Sequence, residues 1–215
     1  DCWERGPYWI DGLVPLAYIL NDAELKAKVQ KWMEWSFKNQ RANGYFGPYP
    51  NKEGTPKVKG TQQTMSEDWW PKMVMLKAMQ QYYSATGDKR VIKLMTEYFK
   101  YQLKILPQFP LNHWTWWAEQ RGADNLQVVL WLYNITGDKF LLELGEMIHK
   151  QTFDWTTIFT NNTLCKTNPY ADLHGVNLAM GIKAPVMLYQ LNGKVRYKNA
   201  VRDGLEALRD VHGFV

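Results

Sequence analysis

Thr86-Gly87-Asp88-Lys89 ends one apolar helical stretch and leads straight into a second, amphipathic one. The same step recurs at Thr136-Gly137-Asp138-Lys139, and in related form at Leu20-Asn21-Asp22-Ala23 and Leu191-Asn192-Gly193-Lys194. Gly or Asn supplies the left-handed residue that closes the first helix, and Asp22, Asp88 and Asp138 can cap or favourably charge the start of the second. Each unit reads as an α-hairpin with an apolar inner helix and an amphipathic outer one. Gly87 and Gly137 are 50 residues apart and Gly137 and Gly193 are 56 apart, longer than any short solenoid repeat. Long insertions must join one hairpin to the next.

Residues 40–67, 104–122 and 153–173 are those insertions. They exceed the usual helix connection, which marks such segments as functional or disordered. Their aromatic content (Tyr45, Phe46, Tyr49, Phe109, Trp114, Trp116, Trp117, Trp155, Phe159 and Tyr170 among others) argues for order, since disordered linkers are poor in aromatics.

With 215 residues, 46% of them hydrophobic, the chain can bury a sizeable core, and one domain over 1–215 is expected. The formal charge of +5 is small, and lysines such as Lys26, Lys28, Lys31, Lys89 and Lys93 scatter over outer helix faces. No basic stripe or reader motif accompanies them, so no nucleic-acid partner is expected. The apolar run Leu13–Leu20 is too short to span a bilayer, and a soluble protein is expected. Secretion and a periplasmic setting stay open. Asn134-Ile135-Thr136 and Asn161-Asn162-Thr163 are glycosylation acceptors only if a eukaryote secretes the protein. Cys2 and Cys165 lack CxxC or histidine partners at ligand spacing, so no cofactor or zinc site is expected within this chain. The chain opens on Asp1-Cys2-Trp3 and stops at His212-Gly213-Phe214-Val215, and is read as a piece of a longer protein.

Residues at the starts of the inner helices should converge at one end of a hairpin array. These starts carry Trp3, Glu4, Arg5, Tyr8, Trp9 and Asp11; then Glu67, Asp68, Trp69 and Trp70 before Pro71; then Trp117, Glu119, Gln120, Asp124 and Asn125; and last Asp172, His174 and Asn177. Trp faces suit the apolar faces of a sugar ring, while carboxylates, amides and histidine satisfy its hydroxyls once water leaves. The candidate carbohydrate-binding set is Glu4, Arg5, Asp11, Asp68, Trp69, Trp70, Trp117, Asp124, Asn125, His174 and Asn177. Asp11 and Asp68 equally suit helix caps, and His174 a satisfied structural role. Trp32 and Trp35, on an outer helix, read as core. Adjacent helical residues point about 100° apart, so Trp69-Trp70 and Trp116-Trp117 cannot each turn both rings to one core.

Three stretches together resemble a known family. They are Trp3-Glu4-Arg5-Gly6-Pro7-Tyr8-Trp9-Ile10-Asp11-Gly12-Leu13-Val14-Pro15-Leu16-Ala17, Asp68-Trp69-Trp70-Pro71-Lys72-Met73 and His174-Gly175-Val176-Asn177-Leu178-Ala179-Met180-Gly181-Ile182-Lys183. In order and spacing they are similar to the catalytic domain of glycoside hydrolase family 127, the β-L-arabinofuranosidase-like group. The resemblance implies an all-α (α/α)6-barrel toroid of helical hairpins, truncated here to about four. It also implies a retaining mechanism with a cysteine thiolate nucleophile near zinc and a glutamate acid/base. All of those groups are expected C-terminal to Val215, and neither Cys2 nor Cys165 stands at a matching position. Relatives place sugar-contacting histidines where this chain has Glu67-Asp68 and Ala123-Asp124, which points to a divergent branch.

The leading reading is therefore a fragment of a hydrolase that releases β-L-arabinofuranose or a related terminal sugar from plant or microbial glycans and carries part of its sugar pocket. The alternative is a non-catalytic carbohydrate-binding or structural helical domain. A terpene-cyclase-like toroid ranks last, because no cluster of neighbouring aspartates is present.

Overall fold

A computed structural model describes residues 4–49, 66–161 and 174–212. Cys2, Trp3, Cys165 and Asp172 lie outside them. The described residues are helical and contain no strand. In chain order the helices are α1 (Arg5–Ile19), α2 (Ala23–Lys38), α3 (Trp69–Thr86), α4 (Arg90–Ile105), α5 (Trp116–Gln120), α6 (Gly122–Thr136), α7 (Phe140–Gln151), α8 (Trp155–Thr160), α9 (Gly175–Gly181), α10 (Lys183–Asn192) and α11 (Val195–His212).

The four turns fold as their residues dictate. Gly87, Gly137 and Gly193 take φ of 70°, 74° and 71°, and Asn21 takes 54°. Each glycine N–H returns to the carbonyl four residues back, on Tyr83, Tyr133 and Tyr189, which closes the inner helix. Asp22 then caps α2 by accepting from the Leu25 N–H at 2.8 Å, and Asp88 accepts from the Arg90 N–H at 3.0 Å.

Two layers result. α1 packs on α3, α3 on α6 and α6 on α10, while α2 meets α4 and α4 meets α7 behind them. This is the inner-and-outer arrangement of an α/α toroid. The inner α3 buries residues nearly all round, from Trp69 through Met79 to Tyr82. The outer α4 buries Val91, Leu94, Met95, Tyr98, Phe99 and Gln102, the one-sided spacing of an amphipathic helix. Pro71 falls in the first turn of α3, where its missing N–H is no loss.

Helix continues inside two of the insertions: α4 runs to Ile105 and α5 forms within 104–122, and α8 forms within the described part of 153–173. Trp32 and Trp35 also differ from expectation. Both rings lie on the surface, at 36% and 47% exposure. Trp32 covers Gly6, where a Cβ would come within 2.8 Å of the indole, so its packing partner is α1's outer side instead of the interior.

A smaller core of Ala123, Trp155, Ile158, Phe159, Ala184 and Ala200 lies under α8 and α11. Gly181 admits the Trp155 indole to it, since a Cβ there would stand 2.4 Å from the ring. Gly181→Ala is expected to destabilise the chain by about 1–3 kcal/mol through overpacking. A lower urea midpoint at constant m would show this, and a wild-type midpoint would mean that Trp155 shifts freely.

Candidate active site

The helix entrances named from sequence meet at one end of the arc, around Arg121. This residue joins α5 to α6 and is nearly buried. Its guanidinium lies 4.3 Å from the centroid of Trp70 and 4.7 Å from that of Trp117. Arg121 Nε donates to Asn177 Oδ1 at 2.7 Å, and Nη1 stands 3.5 Å from Glu4 Oε2. The same Glu4 oxygen accepts from Trp70 Nε1 at 2.6 Å. One cation therefore joins α1, α3, the α5–α6 corner and α9. A planar guanidinium suits this place because its faces stack on indoles while its edge donates in fixed directions.

Trp69 and Trp70 part ways as helix geometry requires. Trp70 turns toward Glu4, Tyr8 and Arg121. Trp69 turns toward Tyr101 and Trp114, and its Nε1 donates to the Phe109 carbonyl at 3.0 Å. Trp69 thus joins the core that supports the site.

Asp68 is fully buried and caps α3, with Oδ1 accepting from the Trp70 N–H at 3.0 Å and Oδ2 from the Thr115 hydroxyl at 2.8 Å. The capping reading left open for Asp68 describes its geometry. Asp11 sits further down α1 and holds Lys77 and Gln81, each at 2.8 Å. Asn125 is buried in a reciprocal amide pair with Gln102. Arg5 is exposed on the first turn of α1.

Asp124 and Asn177 differ from these. Asp124 Oδ1 accepts from Lys183 Nζ at 2.6 Å, whereas its Oδ2 is buried with no hydrogen-bond partner among the described residues. Asn177 Nδ2 and Gln120 Oε1 are buried and likewise find no partner among the described residues. Burial pushes the Asp124 carboxyl above its usual range, while Lys183, Lys77 and Arg121 pull it down. Burial likewise raises the Tyr8 phenol, opposed by Arg121 and reinforced by Glu4, Asp124 and Asp11, so these charges share one electrostatic neighbourhood.

His174 stands at the rim. Its Nδ1 accepts from the Val176 N–H at 3.3 Å to cap α9, and its ring meets the edge of Trp117 at 5.3 Å. Among the described residues no group of three or more His, Cys, Asp or Glu could hold a metal ion.

Arg121, Lys77 and Lys183 were not singled out in the sequence. Arg121 follows Gln120 with no local mark of importance, and its partners come from other hairpins. Lys183 closes the family-like His174–Lys183 stretch, which was the one signal available.

Paired inner and outer helices with a polar, tryptophan-lined end place the chain in the class of all-α toroid domains. Residues 5–212 match the family model described as beta-L-arabinofuranosidase, GH127 catalytic domain, and the chain belongs to this glycoside hydrolase family. No curated protein and no solved structure matches the chain. No helix among the described residues is long and apolar enough to cross a membrane.

Proposed function

We propose that this chain forms the sugar-holding wall of a glycoside hydrolase that releases a terminal β-L-arabinofuranose or related sugar from plant or microbial glycans. The nucleophile, the acid/base and any zinc are assigned to sequence C-terminal to Val215. The carrying observation is that, among the described residues, Asp124 Oδ2 and Asn177 Nδ2 are buried without a hydrogen-bond partner, with Asn177 bonded to Arg121 and Asp124 within the field of the same guanidinium. Leaving such a group unpaired costs roughly 1–3 kcal/mol, which a ligand can return by hydrogen bonding. A sugar hydroxyl donates and accepts at once, so it can take the Asn177 N–H and donate to a carboxylate or amide oxygen. The Arg121 guanidinium lies over the rings of both Trp70 and Trp117 beside this amide.

Methyl β-L-arabinofuranoside titrated onto the chain should bind. Asp124→Asn is expected to weaken it about fivefold to a hundredfold, the equivalent of roughly 1–3 kcal/mol. Unchanged affinity would return Asp124 to a purely structural pairing with Lys183. Binding without turnover is expected of residues 1–215 alone, because glycoside cleavage needs a positioned pair of catalytic groups flanking the bond. Hydrolysis of an aryl arabinofuranoside above the buffer rate would place those groups within the chain.

A further inference from the structure

A cavity of about 410 Å³ lies among the starts of α1 and α3, the second half of α2 and the loop 46–48, and it shares no residue with the cluster around Arg121. Its volume is that of a site for a small organic molecule. Trp32, Trp35 and Phe46 supply its aromatic walls. Trp32 is fixed in place, with Gly6 beneath its indole and the Trp9 ring 5.8 Å away, so association loses little side-chain freedom there.

The polar groups of this cavity are almost all committed. Pro7, Pro48 and Pro71 carry no N–H to offer. Ser36 Oγ donates to the Trp32 carbonyl at 2.9 Å, and Lys72 Nζ donates to the carbonyls of Ser66 and Asp68, which leaves its methylene stem for the wall. Lys31 differs. It is exposed on α2 and has no acidic partner among the described residues, since Glu24 and Glu34 of the same helix are held by Lys28 and Arg90. One open cation therefore stands at an apolar, aromatic-walled cavity whose described lining contains no Asp or Glu. A sugar does not suit it, because its hydroxyls would be buried without partners.

We infer that this cavity binds a flat aromatic carboxylate, with the ring between the indoles and Phe46 and the carboxylate on Lys31. Planar rings match planar walls, and a single anion matches the single open cation. The inference stands apart from the sugar-site reading.

Titration calorimetry on the 215-residue chain, with 2-naphthaleneacetate and its neutral counterpart 2-naphthaleneethanol as probes, tests both halves of it. At low salt the carboxylate should bind about twofold to fivefold more tightly than the alcohol, the size expected of one solvent-exposed ion pair, and salt should close the gap. Lys31→Met should remove the preference and leave the alcohol unchanged, while Lys31→Arg should keep it. Trp35→Ala should weaken both probes about tenfold, as one lost ring face requires. Excess methyl β-L-arabinofuranoside should displace neither. Equal binding of the two probes by the wild-type chain would overturn the anion assignment, and binding of neither would overturn the site. A preference that survives Lys31→Met, an affinity that survives Trp35→Ala, or displacement by the arabinofuranoside would put the probe elsewhere and overturn the proposal.

Discussion

Replacing Arg121 by Met is expected to lower the stability of the chain by about 2–4 kcal/mol, since removing one partner of a buried ionic group strands the others. Asn177 Oδ1 loses its donor, Glu4 loses a cation, and Trp70 and Trp117 lose the plate between them. Glu4 keeps its bond from Trp70 and is 27% exposed on its side chain, which sets the estimate below that for a wholly buried pair. For a chain of this size the melting temperature should fall by roughly 5–15 °C. Arg121→Lys should recover less than half of the loss, because an ammonium cannot lie flat between two indoles. Denaturant midpoints on the three proteins provide the measurement. A Lys variant equal to wild type would reduce Arg121 to a point charge, and a Met variant equal to wild type would mean that the four entrances do not depend on it.

Raising the pH from 7 towards 10 is expected to stabilise the chain, opposite to the usual decline. Lys72 on α3 is fully enclosed, and burial lowers its ammonium from 10.5 to about 7 despite Asp68 and Glu67 nearby. It donates to the carbonyls of Ser66 and Asp68. In the unfolded chain an ordinary lysine holds its proton to about pH 10.4. Between about 7 and 10 the unfolded state therefore binds more protons, and stability rises with pH. The rise should reach about 2 kcal/mol or more, given some 1.4 kcal/mol per unit of pKa difference. Above pH 10 the sign reverses. Burial holds the Tyr45 and Tyr98 phenols well above their usual range, so the unfolded chain ionises there while the folded one resists. Urea midpoints across pH 6–11 should trace this maximum. Lys72→Met should flatten the rise, whatever its effect on absolute stability. A wild-type profile flat from 7 to 10 would mean that Lys72 stays charged at an ordinary pKa.

The hairpins were legible because their causes are local. A left-handed Gly87, Gly137 or Gly193 followed by a polar start needs nothing beyond its neighbours. The parting of Trp69 and Trp70 was legible from helical geometry, whereas Trp116 and Trp117, adjacent at the start of α5, stack on each other with centroids 4.1 Å apart. The two tryptophans of α2 misled because apolarity at helical spacing does not say which side of a helix has a partner. Trp32 found Gly6 of the preceding helix.

The site divides along the same line. Sequence alone determined that Glu4, Asp68, Trp70, Trp117, Asp124, His174 and Asn177 occupy helix entrances, and hairpin geometry brings such entrances to one end. Which of them are already satisfied was decided by tertiary contact. Asp68 has a cap and a hydroxyl from Thr115, and Asn125 has Gln102, but Asp124 and Asn177 each have one polar atom without a partner among the described residues. Arg121 reaches Asn177 across 56 positions, and Lys183 reaches Asp124 across 59. A chain pattern with a period of a few residues carries no information about partners at such separations. They are set by how one hairpin packs on the next, where burial makes each unpaired charge or amide costly enough to select its partner.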